Sequence, residues 1–512
     1  LERTSRNIWK LVAAAAMSVA LSLALLPLPA GGAEQSASGN EAAPATSGNS
    51  PPAVGQPSVD AGAGLVFSPE FQQWNAPVCG PAKIGEARCH ARVIADETGK
   101  PLAASAPAGY GPAQILGAYG LSATAAGMPI IGIVDAYDDP TAAADLNVFS
   151  DAVGVPELPA CPASPWPPAA PCFRKADESG GTDFPTVDDG WALEISADVQ
   201  IAHAICQNCV ILLLEANSNG SSDLFAALNE ARLLGAKAVS NSWGGPESPG
   251  EQSFDSYFDY PGIAFAFSTG DNGYGAVYPA SSPYVTAVGG TTLTVGGSNQ
   301  WVSETAWSGG GSGCSAYEPQ PAFQTALGLP GCANRMVADV SADADPNTGW
   351  AIYDSTGDNG QAGWFLYGGT SAAAPLIAAV YALGAVGSGV MANSLPYALR
   401  DYGTNLRDIV GGSNGSCSPS YLCNAVAGYN GPTGLGTPLG VGAFGGSGDD
   451  DDDDNDDDND DNDSADDDDD DNDNNDDDDN NEDDDSSADD DDDSSPSLPR
   501  LGSDGGSSGC GC

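Results

Sequence analysis

A serine that follows two glycines and a threonine and then opens an apolar run is placed for chemistry. In "YGGTSAAAPLIAAVYAL", residues 367–383, the alanine-rich run predicts a helix. Pro375 is expected inside its first turn, where a missing N–H does no harm. Ser371 then lies beside the unpaired backbone N–H groups of the helix N-terminus, and its small neighbours let another chain approach closely. An ordinary N-cap serine would sit the same way, so this segment leaves nucleophile and cap both open.

Three carboxylates could serve such a serine. Glu194 and Asp198 are spaced i, i+4 on a predicted helix, and no lysine or arginine occurs between Lys175 and Arg232. They are either a solvated acidic face or a base held by a second carboxylate, one titrating above the other. Asp271 stands in "FSTGDNGYG", where Asp-Asn-Gly is also a common turn. The chain has two histidines, His90 and His203, neither in an H-G-T context at a helix start. A Ser-His-Asp triad needs its histidine within hydrogen-bond reach of the serine. The expected base is therefore a carboxylate, with His203 a buried or capping residue.

The elements that must hold these residues can be read from periodicity. "MPIIGIVDAY", "VILLLEA", "KAVSNSWG", "GIAFAFSTGDNG", "PYVTAVGGTTLTV" and "GWFLYGG" read as strands. "TAAADLNVFSDAVG", "DDGWALEISADVQIAHAIC" and "SSDLFAALNEARLLGA" read as helices. Apolar strands alternating with helices predict an α/β fold with a mostly parallel sheet covered on both faces. Active residues then collect beyond the strand C-termini, where Ser371 after "WFLYGG" and Asp271 after "IAFAFSTG" are expected.

Composition sets the compartment and excludes some partners. Residues 1–33 carry a basic start, an apolar core and a small-residue end, the pattern of a signal peptide, so a secreted or extracellular chain is expected, including one retained at the cell surface. Residues 34–65 read as an Ala/Gly/Ser/Pro-rich linker, 66–110 as an N-terminal extension, 111–446 as the globular domain, and 447–512 as a disordered Asp/Asn-rich tail. The twelve cysteines fall into six local couples, Cys79/Cys89, Cys161/Cys172, Cys206/Cys209, Cys314/Cys332, Cys417/Cys423 and Cys510/Cys512. Disulfides suit an oxidising destination, and "CQNC" at 206–209 is expected to be a bridge rather than a zinc half-site. Of the net charge of -56, the tail from Asp449 carries 33 acidic residues and one arginine, leaving 38 acidic and 14 basic residues before it. Both parts are acidic, which argues against nucleic acid as a partner. No membrane span is expected in the mature chain, and a monomer is.

Four motifs in series resemble one family. "WALEISAD" (191–198), "VSNSWGGPE" (239–247), "FSTGDNG" (267–273) and "GGTSAAAP" (368–375) are similar in order and spacing to those of the sedolisins, serine-carboxyl peptidases with a subtilisin-like fold. The resemblance implies Ser371 as nucleophile, Glu194 as general base, Asp198 as its partner and Asp271 as the oxyanion-hole acid. It sets Asp135 of "GIVDAY" and Trp243 beside that network, protein or peptide substrates in the cleft, 111–446 as the peptidase domain and 66–110 as an N-terminal extension or reduced prosegment. It also implies a calcium site from Asp408, the carbonyls of Ile409, Val426 and Gly428, and Asn430 where the family has a second aspartate. One negative charge fewer lowers the expected affinity.

Such an enzyme would act in acid. Glu194 must be ionised to accept a proton, whereas Asp271 must be protonated to donate to an oxyanion. The competing readings are a subtilisin-type Ser-His-Asp peptidase using His203, a non-catalytic surface binding protein, and a calcium-binding acidic adhesin.

Overall fold

The computed structural model describes residues 64–445. The expected signal peptide, nearly all of the linker, the acidic tail and the Cys510/Cys512 couple lie outside the described residues.

The stretch 66–110 is built into the fold. It supplies strands β1 (Gln73–Pro77), β2 (Arg88–Cys89) and β3 (Arg92–Ala95), and helix α1 (Pro112–Tyr119) follows. The central sheet starts with β4 (Ile130–Ala136), then helix α2 (Ala142–Val153) and β5 (Phe173–Asp177). Helix α3 (Asp189–Ile205), β6 (Val210–Ala216), helix α4 (Ser221–Leu233) and β7 (Ala238–Asn241) come next. A short β8 (Trp243–Pro246) leads to β9 (Ala264–Ser268), β10 (Thr286–Val295), β11 (Trp301–Ala306) and β12 (Val340–Asp343).

The order across this eight-stranded sheet is β11-β10-β9-β7-β4-β6-β5, with β12 also paired to β10. Every pairing is parallel except β10 with β11. All residues of β4 and β6 are buried, which is why "IIGIVDA" and "VILLLEA" are nearly unbroken apolar runs.

Two central helices carry Glu194, Asp198 and Ser371. In α3, Asp188 Oδ1 caps the start by accepting from Trp191 N at 3.1 Å, and every residue from Gly190 to Ile205 is buried. Helix α5 (Thr370–Gly384) is buried along its whole length and packs against α3 and β9. Its alanines allow the close approach that two wholly buried helices need.

The "WFLYGG" strand departs from the sequence expectation. It is β14 (Gln361–Gly368), paired antiparallel with β13 (Trp350–Asp358) and with β3 in a second sheet. Only Asn359 and Gly360 join β13 to β14, and a connection that short permits only antiparallel pairing. Ser371 is therefore delivered by a hairpin strand, while β12 takes the parallel place.

Five of the local cysteine couples are disulfides: Cys79–Cys89, Cys161–Cys172, Cys206–Cys209, Cys314–Cys332 and Cys417–Cys423. Among the described residues no helix is long and apolar enough to cross a membrane.

Candidate active site

Gly369 precedes α5 with φ of 99°, a left-handed conformation that suits glycine, and turns the chain from β14 into the helix. Ser371 follows at the second helical position. Pro375 lies beyond the first turn, at the sixth residue of α5, so the carbonyl of Ser371 loses its helical donor. Ser242 Oγ lies 3.2 Å from that carbonyl. Ser371 Oγ in turn donates to the Ser242 carbonyl at 3.1 Å.

Asp135 at the end of β4 and Glu194 and Asp198 on α3 bring carboxylate oxygens within 4.8 Å of one another, all three buried. Three charges cannot share such a space, so the cluster holds protons. Burial pushes Asp135 up to about 8. Burial, then the nearby Asp135, pushes Glu194 well above the usual carboxylate range, opposed by the hydroxyls of Ser371 and Tyr367. Burial raises Asp198 likewise, with Asp135 and Glu194 adding to it.

The donors around the cluster are selective. Tyr367 OH donates to Glu194 Oε2 at 2.8 Å, and the Ser242 hydroxyl lies 2.7 Å from Asp198 Oδ2. Glu194 Oε1 and both oxygens of Asp135 have no partner. Trp243 Nε1 donates to the Val134 carbonyl at 2.7 Å, tying β8 to β4.

Asp271 follows β9 and approaches from the other side of Gly369. Its Oδ1 accepts from Thr370 N at 2.8 Å and Thr370 Oγ1 at 3.0 Å, while Oδ2 is buried and unpartnered. Burial pushes its carboxyl up to about 6 despite those donors and the charges of Arg92 and Arg88. A proton on Asp271 belongs on Oδ2. Near it, Ser371 N donates to the carbonyl of His90 at 2.9 Å.

Sequence reasoning missed Tyr367, Ser242, Thr370 and His90 as members of this centre. The first three stood inside quoted motifs, but His90 had no local signal. Its Nδ1 lies 2.7 Å from Ser268 Oγ, and burial, then Arg88, pushes its imidazole down to about 3. His203 is bound elsewhere, its Nε2 lying 2.7 Å from the Pro156 carbonyl.

The residues of the implied calcium site also converge, but on an amide. Asn430 Nδ2 donates to the carbonyls of Val426 at 3.1 Å and of Ile409 and Gly428 at 3.4 Å. Its Oδ1 is taken by Thr433 N and Oγ1, and Asp408 accepts from Gly428 N. This donor set does not fit calcium, because Asn430 turns N–H groups rather than oxygen into the cage. Elsewhere, Asp139, Asp145 and Asp354 form a second buried carboxylate group close enough to hold a metal ion.

A profile of the subtilase family matches residues 196–386. Kumamolisin of Bacillus sp. (strain MN-32) is 29% identical over 373 residues, covering 66% of this chain and 63% of its own. Sedolisin of Pseudomonas sp. (strain 101) is 28% identical over 382 residues, covering 66% and 61%. The solved structure of Pseudomonas sedolisin, a serine-carboxyl proteinase complexed with two molecules of pseudo-iodotyrostatin, superposes with a TM-score of 0.52. It is 25% identical and covers 65% of this chain and 96% of that one. The chain is similar to the sedolisins in sequence and in fold. It has the subtilisin-like α/β fold, and it spans about three-fifths of the length of the curated relatives it matches.

Proposed function

We propose that this chain is a secreted, acid-acting serine-carboxyl endopeptidase of the sedolisin type that hydrolyses peptide bonds through an acyl-enzyme. Ser371 attacks the carbonyl, Glu194 takes its proton and returns it to the leaving amine, and Asp198 holds the charge balance of the pair. Asp271, protonated on Oδ2, joins Ser371 N in binding the oxyanion. One observation carries this reading: a serine at a helix N-terminus lies beside a proton-sharing carboxylate cluster, and a further buried acid, Asp271, is held by the N–H of the preceding Thr370 with its Oδ2 unpartnered. The bond of His203 to Pro156 argues against the Ser-His-Asp alternative. Export rests on residues 1–33, and protein or peptide chains are the substrates the reading requires. Calcium is not needed by this reading, since the carbonyl cage is satisfied by Asn430.

The test is casein hydrolysis from pH 3 to 8. We expect activity in acid that fades above pH 6 and is absent in Ser371→Ala. A Ser371→Ala variant that cleaves casein at the wild-type rate would overturn the assignment.

A further inference from the structure

Outside the reacting centre the fold encloses a cavity of about 540 Å³. Its walls include Arg88, Tyr137, Asp188, Asp189, Trp191 and Asp358. Tyr137 comes two residues after Asp135, at a φ of 65° that is uncommon outside glycine, and its OH donates to Asn219 Oδ1 at 3.2 Å. The Tyr137 and Trp191 rings stand 6.4 Å apart, tilted by 57°. Asp188 and Asp189 are exposed at the start of α3. Aromatic faces with three carboxylates make a lining suited to a cation.

One of these acids lacks a donor. Asp358 is 3% exposed, and its Oδ1 accepts from Asn359 Nδ2 at 3.0 Å, while Oδ2 is buried with no partner. Burial pushes its carboxyl up to about 6, opposed by the Asn359 amide and helped by Asp189 and Asp188. A charged donor in the cavity would satisfy that oxygen and relieve the repulsion among the three. Arg88, whose Nη2 donates to the Cys79 carbonyl at 3.0 Å, is the one cation among the described lining residues. A bare metal ion does not fit. Among the described residues, the carboxylate groups that converge closely enough for one are Asp135/Glu194/Asp198 and Asp139/Asp145/Asp354, and this trio is neither. The cavity therefore suits an extended cation, a guanidinium or an ammonium on an apolar stem.

Its place relative to the chemistry follows from α3. Glu194 lies five residues beyond Asp189, about 7.5 Å along the helix axis. An extended peptide advances about 3.3 Å per residue, so the cavity stands roughly two or three residues away from the reacting bond. We propose that this cavity is a subsite for the lysine or arginine side chain of a peptide substrate, roughly two or three residues from the bond that Ser371 cuts. This names a substrate class for the peptidase reading above and rests on it. The apolar stem lies against Tyr137 and Trp191, and the charged head donates to Asp358 Oδ2 with Asp188 and Asp189 beside it. A glutamate at the same place meets like charge and is rejected.

The full chain is assayed at pH 5 on N-acetylated, internally quenched peptides of one sequence, with lysine, arginine, glutamine or glutamate stepped through the positions on either side of the cut bond. Mass spectrometry of the products fixes that bond. At one position two or three residues from it, lysine and arginine should raise kcat/KM at least about tenfold over glutamine, and glutamate should lower it. Asp189→Asn, at an exposed position, should reduce that ratio about threefold, and Asp189→Asn with Asp358→Asn should bring it within about twofold of unity. A double variant that slows the basic and glutamine peptides equally, keeping the ratio, would overturn the proposal. So would a preference seen only with a free N-terminus, which would put an α-ammonium in the cavity. A wild type that cuts all the peptides alike would overturn the subsite and leave the peptidase reading standing. A folded chain that cuts neither the peptides nor casein would overturn both.

Discussion

Replacing Asp271 by asparagine separates the two acid roles. In the wild type Oδ1 is held by Thr370 N and Oγ1, so an asparagine keeps its carbonyl oxygen there and turns its NH2 to the position of Oδ2. The donor then persists at every pH. The wild-type carboxyl, raised from 3.8 to about 6, loses its proton above that value. A shift of about two units corresponds to roughly 3 kcal/mol favouring the neutral form. Above pH 6 the donor-competent fraction falls about tenfold per pH unit, to about one-hundredth at pH 8. The assay is kcat/KM on a fluorescent peptide from pH 3 to 8. We expect Asp271→Asn to lose the limb near pH 6 and to exceed the wild type by about tenfold or more at pH 8. Asp271→Ala, with no donor, should fall by about 10²–10³ in kcat. An asparagine variant that declines above pH 6 together with the wild type would refute the reasoning, because the titrating group would then lie elsewhere.

Other expectations are more compact. Tyr367→Phe removes a donor to the ionised form of Glu194, so its pKa rises and the acidic limb of the kcat/KM profile should move to higher pH. Chelation with EDTA should leave Tm unchanged, whereas Asn430→Asp should make Tm rise with added calcium in a thermal melt, since a carboxylate restores oxygen to the carbonyl cage. Arg335→Ala strands the wholly buried Asp339 that its guanidinium binds, and should cost about 3–5 kcal/mol in urea unfolding. Stability should fall with rising pH. Burial raises Asp358 to about 6, Asp354 to about 7 and Glu215 to about 9, so their contribution is complete below about pH 4. It is lost as pH climbs through those folded values, and Tm measured from pH 5 to 9 should decline.

What was legible in the sequence was whatever is encoded over a few neighbouring residues. The buried parallel strands announced themselves as apolar runs, and Glu194 and Asp198 share a helix face because their spacing demands it. Strand β12 was not seen, because "VSAD" is short and its serine and aspartate are buried among partners rather than apolar. Strand β14 was seen but assigned to the wrong sheet, since an apolar run does not say which neighbour it pairs with. The same limit hid His90. Its partners Ser268 and Ser371 are far along the chain, and only tertiary folding brings them together. Asn430 was read as a weakened ligand because its type was visible, while the turn of its amide depends on Thr433.

The disulfides among the described residues are all short. Their sequence separations run from 3 to 18 residues, so each restrains its own neighbourhood and none bridges remote parts of the described fold. By loop-entropy arguments each contributes roughly 1.5–3 kcal/mol. Both sulfurs of a couple leave the ribosome or translocation pore almost together, so oxidation has no distant partner to await and few wrong ones to choose. Reducing agents should accordingly loosen the fold locally, couple by couple, rather than open it at once.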